Sequence, residues 1–181
     1  MTVKQLHIRW LWTTVLAFAA FAVLVFLDGR LKSVTGFGTV DLQKVATAQD
    51  FANILAHWYA PTVAVLAGFN LGFDFLFMPL YALSFFYSGL IVRERYTPNR
   101  GFPRRAMQFV AAIPLAGAVA DAIENGLETQ VLVSGSTNDS LANLAFTATN
   151  AKMLCFYIGL ALLAGAIVAR LAPRKSEDDF A

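Results

Sequence analysis

The chain has 181 residues, of which 57% are hydrophobic and only 14% charged, and its mean hydropathy is +0.58. That balance lies outside the range of water-soluble domains and predicts an all-α integral membrane protein with no sizeable soluble domain. The formal charge of +2 comes from basic residues grouped near predicted span ends, so it reads as membrane topology rather than nucleic-acid binding, and no nucleic-acid partner is expected.

The first apolar run, Trp10 to Leu27, follows Lys4, His7 and Arg9 and ends at Asp28-Gly29-Arg30. No small-x-small cleavage site follows it, and further apolar segments come later, so it is expected to be retained as a first span over about 10–28. Beyond a glycine-containing turn at Thr35-Gly36-Phe37-Gly38, the residues Val45, Ala48, Phe51, Leu55 and Trp58 recur every three to four positions. That pattern predicts an amphipathic helix over about 43–59, lying along the outer membrane surface. The His57-Trp58-Tyr59 cluster at its end has the amphipathic rings that suit a bilayer interface.

Pro61-Thr62 is a fitting start for a second span, which runs to about Val92. Ala64, Gly68 and Gly72 form a small-residue ridge along it, suited to close approach by another helix. Asn70 and Asp74 lie on a different face, Tyr81 continues their side, and Pro79 should kink the helix near the carboxylate. A basic connection from Arg93 to Arg105 leads to a third span over about 106–133, which carries Pro114. After the polar turn Ser134–Ser140, in which Asp139 or Ser140 can cap the next helix, a fourth span covers about 141–170. The charged end 173–181 reads as a solvated tail. The only cysteine, Cys155, sits in the fourth span and excludes an intrachain disulfide.

Lysine and arginine fix the expected orientation. Lys4 and Arg9, then Arg93, Arg95, Arg100, Arg104 and Arg105, then Arg170, Arg174 and Lys175 fall on one side of a four-span chain, against Arg30, Lys32 and Lys44 on the other. The positive-inside rule then places both termini in the cytoplasm.

The third span holds the most unusual residues. Asp121, Glu124 and Asn125, with Glu128 above, share one helical face in a segment otherwise apolar enough to cross a bilayer. From the predicted span ends, Asp74, Asp121 and Lys152 lie roughly 17–22 Å along their helices, at comparable depth. Asn70, Asp74, Tyr81, Asp121, Glu124, Asn125, Asn150 and Lys152 are therefore candidates for one shared pocket. Three of these are carboxylates, and they face a single lysine. The acid in excess must be neutralised, solvated or bound to something basic.

Three readings stand side by side. The pocket binds a small or lipid ligand, a proton or a hard cation; the polar faces and the glycine ridge dock another membrane protein as an accessory subunit; or the acids act as a general acid and base in an intramembrane enzyme. The bland alternative is a polar clasp holding the bundle together. His7 and His57 lie at opposite sides and cannot form a metal site with the acids, and no motif assigns a cofactor, a metal or a catalytic residue.

The runs Asp74-Phe75-Leu76-Phe77-Met78-Pro79-Leu80-Tyr81 and Asp121-Ala122-Ile123-Glu124-Asn125 resemble those of small uncharacterised bacterial four-span membrane proteins. That resemblance covers both acidic helices and implies the four-span architecture without an activity.

Overall fold

The computed structural model describes residues 2–95 and 101–171, so the middle of the basic connection and the charged tail, including Arg100, Arg174 and Lys175, lie outside the described residues. Six helices occur among them and no strands: α1 (Val3–Thr35), α2 (Thr39–Leu42), α3 (Ala48–Ala56), α4 (Pro61–Arg93), α5 (Gly101–Ser134) and α6 (Asp139–Leu171). Four are long and apolar enough to cross a membrane. At 1.5 Å rise per residue each runs about 50 Å, well beyond a hydrocarbon core of about 30 Å.

The helix ends follow local chemistry. α1 begins well before the apolar run because Thr2 and Gln5 form a capping box. The Thr2 hydroxyl accepts the Gln5 N–H at 3.2 Å, and the Gln5 side-chain Oε1 accepts the Thr2 N–H at 3.0 Å. It continues past Asp28-Gly29-Arg30 to Gly36, whose φ of +84° suits glycine and whose N–H donates to the Lys32 carbonyl. Helical hydrogen bonds do not require apolar side chains, so the apolar run 10–28 understates this helix.

The amphipathic segment is not one helix over 43–59. Thr47 adopts an extended conformation and its hydroxyl accepts the Asp50 N–H, which starts α3 at Ala48 and separates it from the single turn of α2. α3 turns Phe51, Ile54 and Leu55 inward, and Trp58 beyond its end is also buried. These side chains pack on Leu31 of α1, Ala67 of α4, Val131 of α5 and Ala145 of α6. α3 thus caps one end of the bundle. Trp58 is not presented to an interface; its indole N–H donates to the Phe37 carbonyl, while Tyr59 stays exposed.

α6 is capped by Asn138, which accepts the Leu141 N–H at 2.9 Å, rather than by Asp139 or Ser140. Asp139 instead accepts the Ala48 N–H at 2.8 Å and ties the start of α6 to the start of α3.

α4 occupies the centre and packs on α1, α5 and α6; α5 and α6 also pack on each other, whereas α1 and α6 do not pack extensively together. Small residues permit this. A side chain on Gly89 would overlap Ala111, one on Gly159 would overlap Phe85, and a Cβ on Gly117 would come within 2.6 Å of the Cys155 Cβ. α1 is fastened to α4 by hydroxyls: the Trp10 indole donates to Ser88 at 2.8 Å, and Thr14 and Ser84 share a 2.7 Å bond. The expected Ala64/Gly68/Gly72 ridge is only partly used. Gly68 faces Leu132, and Gly72 has open space beside it.

Candidate functional site

Asp74 and Tyr81 are seven residues apart on α4, close to two full turns, and so share a side of the central helix. Asp121, Glu124, Asn125 and Glu128 form the corresponding side of α5, and Lys152 enters from α6. The three helices bring these groups into one hydrogen-bonded cluster. Lys152 Nζ donates to Asp121 Oδ1 at 3.0 Å and lies 2.9 Å from the Glu124 carboxylate. The Tyr81 hydroxyl donates to the other Asp121 oxygen at 3.0 Å. The Asn125 amide donates to Asp74 Oδ2 at 2.8 Å. Lys152, Asp121 and Glu124 are all buried, Glu124 completely.

A cavity of about 550 Å³ opens beside this cluster, between α1, α4, α5 and α6. Asn70, Asp74, Tyr81, Asp121, Asn125 and Lys152 face it, and the remainder of its wall is mainly apolar. Glu124 does not line it; it sits behind Lys152, within reach of the ammonium. Asn150 is not brought to the site at all. Two residues from Lys152 is a rotation of about 200° around the helix, and Asn150 is exposed, its amide donating to the Phe146 carbonyl of its own helix.

Sequence reasoning missed the side of the cavity built from α1 and α2. Asp28 Oδ1 accepts the Thr39 hydroxyl at 2.9 Å and the Val40 N–H at 3.3 Å, and Asn70 donates to the same Thr39 hydroxyl oxygen at 3.1 Å. Gly38 has an extended backbone open to any residue; its lack of a side chain matters because one would overlap the Asp28 carboxylate. The available signal was Asp28 itself, read as a helix end when it is an interior position of α1. Glu128 is a further buried acid one turn beyond Glu124, fully inaccessible, and neither carboxylate oxygen has a hydrogen-bond partner among the described residues.

Outside the long helices, Asp41 forms a second electrostatic clasp. It accepts from Lys32 at 2.8 Å, from Lys44 at 3.4 Å and from the Gly38 N–H at 3.0 Å. Partial burial pushes its carboxyl up, but the hydrogen bonds from Lys32, Gly38 and Lys44 together outweigh that and hold it at about 2.

Among the residues facing the cavity, Lys152 is the one cation, against Asp28, Asp74 and Asp121. The arrangement can therefore orient a basic or hydrogen-bond-donating group while presenting aromatic and aliphatic surface to the rest of a ligand. Among the described residues no group of three histidine, cysteine or acidic side chains is placed to hold a metal ion. Comparison of the chain with protein-family models, with curated proteins and with solved structures finds no match in any of the three.

Proposed function

We propose that the protein is a polytopic membrane protein whose acidic cavity receives a small ligand from within or beside the bilayer. The observation that carries this reading is the cavity itself. Its volume of about 550 Å³ falls within the range of about 300–1,000 Å³ typical of small-molecule sites, and polar groups from α4, α5 and α6 converge on a mainly apolar wall. A polar clasp serving stability alone has no need of such a volume. Interhelical hydrogen bonds in membranes contribute only about 0.6 kcal/mol on average, little return for burying so many charged groups.

In this reading the bundle end bearing Arg9, Arg93, Arg95, Arg104, Arg105 and Arg170 faces the cytoplasm of a bacterial inner membrane, and α3 covers the opposite, extracytoplasmic end. The cavity lies nearer the α3 end, under the α1–α2 connection. Asp74 and Asp121 both face the cavity, Asn125 and Tyr81 orient them, and Lys152 holds Asp121 and Glu124 in place, which leaves Asp74 the freer of the two to meet a ligand.

Native mass spectrometry of the protein extracted from its own membrane tests this. A co-purifying adduct in the wild type that is lost in Asp74→Asn/Asp121→Asn, with the fold retained, supports it. An adduct-free wild type that instead carries a stoichiometric second protein favours an accessory subunit and overturns it.

A further inference from the structure

The acidic cavity does not end at its polar groups. Phe21, Phe77, Tyr81 and Phe156 also border a second space of about 260 Å³ that continues between α1 and α6 towards the basic end of the bundle. Its remaining wall is almost wholly apolar, including Ala17, Phe18, Leu160 and Leu163. The hydroxyls of Thr14 and Ser84 at its edge are satisfied by each other at 2.7 Å. Because α1 and α6 do not pack extensively together, this groove is a seam in the bundle, and Phe18 and Leu160 on its rim are exposed where lipid chains would lie. From Phe21 to Thr14, and from Phe156 to Leu163, it follows two turns of helix, about 10 Å.

We propose that cavity and groove together form one site for an amphipathic amine, entering sideways between α1 and α6, with its cationic head at Asp74 and Asp28 and its single apolar tail in the groove. The assignment rests on the ligand-binding reading above and adds the ligand's class and route. Charge complementarity selects the head. Lys152 already serves Asp121 and Glu124, while Asp74 accepts from Asn125 and Asp28 from Thr39 and Val40, neither acid has an ion pair among the described residues, and both face the cavity. An ammonium would give these two acids a direct ion-pair partner, and charge-assisted hydrogen bonds are the strong ones. A phosphate would meet carboxylates on several sides with one lysine already committed, and a groove of about 260 Å³ is small for two acyl chains; both features disfavour a phospholipid and select a phosphate-free, single-tailed amine.

Titration calorimetry of the protein in phosphatidylcholine nanodiscs, with empty nanodiscs subtracted, tests the proposal using decylamine, decanol, decanoate and butylamine as probes. Decylamine should bind at least about tenfold more tightly than decanol, as one charge-assisted hydrogen bond of about 1.5–3 kcal/mol requires; decanoate should not bind. Asp74→Asn should remove the preference for the amine over the alcohol, with Asp28→Asn as an independent second variant. Leu160→Trp, at an exposed rim position that tolerates bulk, should weaken decylamine and leave butylamine unchanged. Butylamine binding as tightly as decylamine would overturn the groove while leaving the acidic site standing. Equal binding of decylamine and decanol would overturn the cationic head. Competition by phosphatidylethanolamine in the nanodisc would identify a lipid headgroup and overturn the single-tailed amine. An adduct lost in Asp74→Asn/Asp121→Asn together with no binding of either amine refutes this inference alone, whereas no adduct and no probe binding refutes both readings.

Discussion

Replacing Lys152 with methionine keeps most of the length and volume of the side chain but removes the one cation that faces the cavity among the described residues. In the wild type its ammonium lies 3.0 Å from Asp121 and 2.9 Å from Glu124, with all three side chains at least nine-tenths buried. Removing one partner of a buried ion pair typically costs about 3–5 kcal/mol, because the desolvated charge left behind has no compensation. Here one lysine serves two acids, so the upper part of that range is expected. For a chain of this size such a loss corresponds to a Tm lower by roughly 10 °C or more. The informative comparison is Lys152→Met/Asp121→Asn/Glu124→Gln, in which the acids are neutralised along with the lysine. If the single variant fails through uncompensated charge, the triple variant should recover most of the lost stability. Thermal unfolding in one fixed lipid or detergent, scored with the monodisperse fraction, reads both. A Lys152→Met protein as stable as the wild type, or a triple variant no better than the single one, would refute the reasoning.

Further outcomes follow from other parts of the bundle. Glu128→Gln removes a fully buried carboxylate that has no hydrogen-bond partner among the described residues, so this variant should be at least as stable as the wild type; a large drop in thermal midpoint would mean that the charge is needed. Gly38→Leu should overlap the Asp28 carboxylate and detach α2, speeding amide hydrogen exchange over 38–43, and unchanged exchange there would contradict the packing. Asp41 has a folded-state value near 2 against an ordinary 3.8. Its contribution is thus fully present above about pH 4 and lost as pH falls through 2. The same segment should loosen over that window in the wild type, and the acid-dependent change should shrink in Asp41→Asn. Ser88→Ala leaves the buried Trp10 indole N–H without its acceptor, and a loss of about 1–3 kcal/mol is expected from thermal or denaturant unfolding.

The four long helices were legible because twenty or so apolar residues have few alternatives in a bilayer, and the starts of α4 and α6 carried proline and polar-cap signals close to the observed ends. The ends of α1 were not legible. Its first turns contain Lys4, His7 and Arg9 and its last contain Arg30 and Lys32, and a reading based on apolar runs stops where polarity begins although the hydrogen-bond ladder does not. That error hid Asp28, which faces the cavity once the helix is known to continue.

Within the site, helical angle separated the residues well where it was applied. The faces of α4 and α5 meet as spacing implies, whereas Asn150 and Lys152 are too far apart in angle to point the same way, so depth alone misplaced Asn150. The Asp28–Thr39–Asn70 relay depends on how the α1–α2 turn folds back on α4, a tertiary fact with no local signature. The same holds for the Trp10–Ser88 and Thr14–Ser84 bonds, whose partners are far apart in sequence and individually ordinary.

The most direct measurement of the central claim is a high-resolution structure of the protein in nanodiscs made from its native membrane lipids. The account predicts non-protein density in the cavity between α1, α4, α5 and α6, with an atom within hydrogen-bond distance of Asp74 or Asp121 and continuing density between α1 and α6. A cavity closed by its own side chains, with both Asp74 oxygens satisfied by protein groups and no density beside them, would contradict it.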